Sequence, residues 1–160
     1  MKSNEHSGHR AGSGHYLRLL VMTALSFLAM YIFMYAMVNA FGNVYNSFNQ
    51  VYMAALMTSS MVLIELPMMM SMYKSKKLNI AILAVGLLVL IGSWFAIRQQ
   101  TAISDRQFLR SMIPHHAGAI LMCKEAAIQD QEIKELCKNI IASQQSEIDQ
   151  MKRTLDRLAQ

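Results

Sequence analysis

Between Phe108 and Cys123 the chain reads FLRSMIPHHAGAILMC, two adjacent imidazoles set between thioethers and a thiol. On a helix turning about 100° per residue, Phe108, Met112, Ala119, Met122 and Cys123 share one face, with His115 and His116 straddling it. Neutral imidazole and thioether are ligands for borderline-to-soft metals such as copper. A second helical pattern follows Asp130, and its seam reads Ile133, Cys137, Ile140, Gln144, Glu147, Met151, Leu155 and Leu158. Two polar residues interrupt an otherwise apolar stripe.

Folding the two helices back on each other at Asp130 brings together residues whose numbers sum to about 260. Cys123 then meets Cys137, His116 meets Gln144, and Met112 lies beside Glu147 and Ile148. The polar interruptions of one helix therefore fall opposite the histidines of the other. Two readings stay open: a metal site, or a buried His–Gln–Glu hydrogen-bond cluster with no ligand. For the cysteines, a disulfide across the hairpin is expected outside the cytosol. Thiolate ligation together with Met122 is the alternative.

The elements that position this segment are apolar. Of the 160 residues, 54% are hydrophobic and only 16% charged, against about 25% in an ordinary soluble domain. The net charge of +5 comes wholly from residues 1–100, since residues 101–160 carry eight basic and eight acidic side chains. That division sets nucleic acid aside as a partner. Three apolar stretches, at about 16–38, 51–73 and 78–97, are long enough to cross a bilayer. They follow a polar, histidine-bearing stretch over residues 1–15 that reads as a flexible cytoplasmic tail. Basic residues in that tail and at Lys74, Lys76 and Lys77 place both on the cytoplasmic side, and the uncharged 39–50 connection outside. The first stretch is too long for a signal-peptide core and is expected to be retained. Three spans over residues 16–98 leave residues 101–160 outside the cytoplasm, in the periplasm or extracellular space. The expected location is the plasma membrane, the inner membrane in a bacterium.

Methionine is the compositional outlier, with fifteen in the chain and ten of them between Met30 and Met72. In the second span Met53, Met57, Met61, Glu65, Met68 and Met72 share one face, and Met30, Met34 and Met37 form a smaller stripe in the first. An ionisable Glu65 inside a span is a functional candidate, and the stripe suggests an oligomeric conduit for soft ions. Methionine is equally an adaptable packing residue at helix contacts. In the outer segment, Ser104 and Gln107 match a capping box. The helix they open is expected to run to about Gln129, bent at Pro114.

With Phe108, Met112, His115 and His116 spaced F-x3-M-x2-H-H, followed by Gln144, Glu147, Ile148 and Met151, residues 105–158 resemble the domain of unknown function 305 family. The membrane half resembles a subgroup of that family with three N-terminal spans. The resemblance implies a ferritin-like helical bundle, an extracytoplasmic location and, in some members, copper or silver binding through Met and His. It points to Met112, His115, His116 and Met151 as metal ligands, with Glu147 near them. Cys123 and Cys137 are not part of the family pattern. A di-iron site needs Glu-x-x-His on facing helices, and no Glu in residues 101–160 has a His three positions later. No HExxH, GxSxG, CxxC or phosphate-binding loop is present either, so an enzyme is not expected.

The expected protein is all-α, with three transmembrane helices followed by a two-helix hairpin that completes a four-helix bundle by dimerisation. Its expected function is to bind copper or a similar soft ion in homeostasis or resistance, with the bilayer, a second copy and a metal-handling membrane protein as partners. The alternative is a structural or accessory subunit whose hairpin docks a partner. A dimer is expected because Ile141 and Ile148 lie to one side of the seam and would stay uncovered in a single hairpin. Orientation is open to test: after mild reduction, a membrane-impermeant thiol reagent should reach Cys123 or Cys137 from outside intact spheroplasts. Labelling only after lysis would reverse the topology.

Overall fold

The computed structural model describes residues 6–159, with side chains from residue 14 onward, and among these residues every regular element is helical. Five helices follow in order: α1 (His6–Phe33), α2 (Phe48–Met68), α3 (Lys76–Arg98), α4 (Asp105–Glu125) and α5 (Gln131–Arg157). Two short 3₁₀ turns, Met34–Met37 and Phe41–Asn43, lie between α1 and α2. Segments 14–37, 48–68 and 76–98 are each long and apolar enough to span a bilayer. Helix α1 begins at His6, inside the stretch expected as a tail; the side chains of His6 and His9 lie outside the described residues. Helix α2 stops at Met68 rather than Tyr73. Pro67, which has no N–H to continue the ladder, stands one residue before that end.

The chain divides into two compact units. The first holds the described residues up to Tyr31 together with Val51–Thr101. Its core at one end is Leu19, Leu66 and Tyr73. There the Tyr16 hydroxyl donates to Asn79 Oδ1 at 2.7 Å and accepts from the Ser75 N–H at 3.1 Å. Asn79 Nδ2 in turn donates to the Tyr73 carbonyl at 2.9 Å. These bonds satisfy a buried amide where water is scarce. Small side chains permit close approach along the spans: a Cβ on Gly86 would stand 3.2 Å from Leu63 Cδ2.

The second unit joins Ile32–Gln50 to the segment from Ala102 onward. Helices α4 and α5 pack antiparallel, tied by the Cys123–Cys137 disulfide with Cα atoms 5.2 Å apart. Closing that loop contributes about 3 kcal/mol in chain-entropy terms. Asp130 caps α5 as expected, accepting from the Ile133 N–H at 3.0 Å. The expected capping box does not form. Ser104 makes no side-chain cap bond, and Gln107 Oε1 instead accepts from the Phe48 N–H at the start of α2. Helix α4 runs through Pro114 and ends at Glu125, four residues before the expected Gln129.

Ile113, Ala117, Ile120, Ile148 and Leu155 form the core of this unit, and Val38 and Tyr45 of the connection pack against it with Leu109, Ile141 and Met151. Asn49 Nδ2 donates to Ser111 Oγ at 3.0 Å, and a Cβ on Gly118 would lie 3.5 Å from the Met37 carbonyl. The connection is thus a third layer over the hairpin. This overturns one expectation: Ile148 is fully buried and Ile141 packs beside it, so that flank is already covered within one chain. Ile133, placed in the expected seam, is half-exposed instead. Ile148→Ala should therefore destabilise this unit by about 2–5 kcal/mol. Leu136→Ala, on the exposed side, should stay within about 0.5 kcal/mol. Denaturant unfolding of the detergent-solubilised protein, followed by circular dichroism, checks both.

Candidate metal centre

His116 projects from α4 into the hairpin with its side chain 12% exposed. Its Nδ1 lies 2.9 Å from the Met112 carbonyl one turn back, and its Nε2 lies 2.7 Å from Glu147 Oε2 on α5. A carbonyl oxygen only accepts, so Nδ1 carries a proton. At 2.7 Å, Nε2 and the carboxylate are within hydrogen-bonding distance of each other. Nδ1 is thereby held as the backbone-bonded nitrogen and Nε2 is the one aimed across the hairpin. This is the arrangement in which metal-bound imidazoles are commonly fixed. A metal ion reaching Nε2 would take the place of its contact with Glu147.

Glu147, rather than Gln144, meets His116, its carboxylate reaching back from about one turn further along α5, while Cys123 and Cys137 pair as expected. Met112 and Met151 stand in the same offset as His116 and Glu147, one turn along. Both are partly buried. Thioethers there are available to a soft ion but not to a hard one. Gln144 is partly buried one turn from Glu147 on the other side.

The adjacent histidines differ. His115 is exposed on the outer edge of α4 with Met122, and only His116 enters the seam. Cys123 and Cys137 are joined to each other, which removes both as thiolate ligands in this state. Among the described residues no group of three or more His, Cys, Asp or Glu is placed to hold a metal by itself. A bound ion would have to draw on the thioethers or on groups beyond one hairpin.

The membrane candidates stand apart from this centre, in the other unit. Glu65 lies one turn from the end of α2, not midway along it, and Met72 falls past the helix in a turn. Met57 and Met61 remain on α2, Met57 being 43% exposed. Burial first, then the charge of Glu65 and the phenol of Tyr16, hold the Tyr73 hydroxyl above its ordinary pKa. Sequence reasoning missed the layer supplied by Val38 and Tyr45. The uncharged, aromatic composition of the 39–50 connection was its only trace.

Among known proteins, the chain is 36% identical over 141 residues to Uncharacterized protein L153 of Acanthamoeba polyphaga mimivirus. That alignment covers 86% of this chain and 91% of the viral protein. No solved structure matches. The profile of the family described as Domain of unknown function (DUF305) matches residues 65–155, starting well ahead of Asp105. From the last turn of α2, through α3 and the histidine hairpin, more than half of this chain carries the family pattern, and the protein belongs to the domain of unknown function 305 family.

Proposed function

We propose that this is a membrane-anchored metal-binding protein whose hairpin unit, outside the cytoplasm, takes copper or a similar soft ion in homeostasis or resistance. The observation that carries the reading is His116. Its Nδ1 is tied to the Met112 carbonyl, and its Nε2 is directed at Glu147 on the facing helix. Met112 and Met151 add thioethers one turn away, the donor type that favours Cu(I) over Mg²⁺ or Ca²⁺. This is a binding protein rather than a catalyst: the chain carries none of the acid–base or nucleophile constellations noted above.

Orientation is part of the proposal. Basic side chains flank one end of the spans at Lys74, Lys76 and Lys77, which favours a cytoplasmic position for that turn. Packing of the 32–50 connection onto the hairpin supports placing both on one side of the membrane, as three spans require. A disulfide between Cys123 and Cys137 suits an oxidising compartment.

The test is Cu(I) titration of the full-length protein in detergent. Wild type should bind stoichiometrically. His115→Ala with His116→Ala should abolish that binding while helicity is kept. Equal binding by both proteins would return His116 and Glu147 to a purely structural hydrogen bond.

A further inference from the structure

In the first unit, α1 and the start of α3 are fastened at one end. The Tyr16 hydroxyl lies 3.1 Å from the Ser75 nitrogen and 2.7 Å from Asn79 Oδ1. From that fastening a groove of about 690 Å³ runs along the helices, walled by α1 from Tyr16 to Phe27 and by α3 from Leu78 to Val89. Ala55, Thr58, Ser59 and Val62 of α2 form its floor, and they are too short to fill it.

The inside of the groove is apolar. Three alcohol side chains line it, and each spends its proton within the protein. Thr23 donates to the Leu19 carbonyl at 2.8 Å, Ser59 to the Leu56 carbonyl at 2.9 Å and Thr58 to Met30 Sδ at 3.4 Å. These side chains leave no donor for a polar ligand, whereas hydrocarbon needs none. Eleven residues separate Tyr16 from Phe27, and Leu78 from Val89, a rise of about 16 Å. That is half of the ~30 Å hydrocarbon core, the depth of one leaflet. A helix about 10 Å across would occupy roughly 1,300 Å³ over that length, nearly twice the room present. An acyl chain is the thinner occupant.

The mouth of the groove is cationic. Tyr16 and Leu78 stand where α3 begins, and Lys74, Lys76 and Lys77 surround Ser75 at that point. All three lysines are exposed, and neither ion pair among the described residues includes them. Glu65 is the only carboxylate between residues 14 and 104 to offset them. We propose that the groove binds an anionic phospholipid, with one acyl chain between α1 and α3 and its phosphate among the three lysines. The apolar slot ends where the cations begin, as a lipid tail ends at its headgroup. Basic flanks alone serve to orient membrane proteins; here they stand over a slot one leaflet deep. In the orientation proposed above, the mouth opens on the cytoplasmic leaflet, where anionic lipids lie.

The test uses the full-length protein in detergent, offered phosphatidylglycerol or phosphatidylcholine with the same acyl chains. Native mass spectrometry should show one phosphatidylglycerol retained per chain, about tenfold more readily than phosphatidylcholine. Lys74→Gln with Lys76→Gln and Lys77→Gln should abolish that preference. Ala24→Phe with Ala81→Phe, which adds a ring to each wall, should abolish retention of either lipid. All five of these side chains are exposed, so helicity should be unchanged, and circular dichroism checks it. Equal retention of both lipids by wild type would overturn the proposal, as would a preference that survives loss of the lysines. Retention that survives both phenylalanines would overturn it too, by reducing the lysines to a surface patch. A wild type that holds neither lipid would overturn it and give the groove to a helix of another chain. None of these residues belongs to the histidine hairpin, so the Cu(I) titration stands or falls separately.

Discussion

Two antiparallel helices share a single seam, and a segment of about 60 residues buries too little through one seam to fold on its own. Here the missing cover comes from the connection between α1 and α2. Val38 and Tyr45 lie on the Ile113–Ile148 core, and the start of α2 is bonded to α4 through Gln107 and Ser111. Ser47, the residue before α2, leaves its own hydroxyl buried without a partner, and the Phe48 N–H is taken by Gln107 of the outer helix. The histidine helix is thus fastened to the first residues of α2 by polar bonds, and to the connection by apolar contact. Without the 32–50 connection, residues 101–160 would lose the packing of Val38 and Tyr45 on this core.

That third layer also sets the chemistry. By filling one side of the hairpin, the connection holds α4 in rotation, which keeps His116 in the seam and His115 out of it. Gly118 matters here because a side chain larger than alanine would press on the Met37 carbonyl and turn or lift the helix. The disulfide acts at the far end of the same helix, limiting slippage of α4 along α5. With both ends held, the 2.7 Å contact between His116 and Glu147 requires no adjustment to form. Its direct contribution to stability is modest, since Glu147 is half-exposed and screened by water. Its value is positional.

The features legible in the sequence were those that depend on one element at a time. The three apolar spans, the Asp130 cap and the pairing of Cys123 with Cys137 follow from length, from side-chain chemistry at a helix start and from a hairpin's symmetry. What escaped depends on a third party. Ile148 looked like a stray flank because periodicity alone ranks positions against one partner helix, and the connection supplied another. Gln107 sat three residues after Ser104, in the pattern of a cap, yet its amide was drawn to the Phe48 N–H from a different helix. Gln144 was given the place that Glu147 holds, because a carboxylate on α5 reaches His116 from one turn away while Cys123 and Cys137 pair as expected.

The doubled histidine has a simple mechanical meaning. Neighbours on a helix point about 100° apart, so two adjacent imidazoles cannot both enter one seam. One must be held inside by the fold and the other presented beyond it. His116 is held, with Nδ1 committed to the backbone and Nε2 to Glu147. His115 faces outward among Phe108 and Met122, on the side that the chain itself leaves uncovered. A single buried ligand would need one histidine, and a surface contact would need one elsewhere. Glu147 stays half-exposed beside its more buried partner, His116.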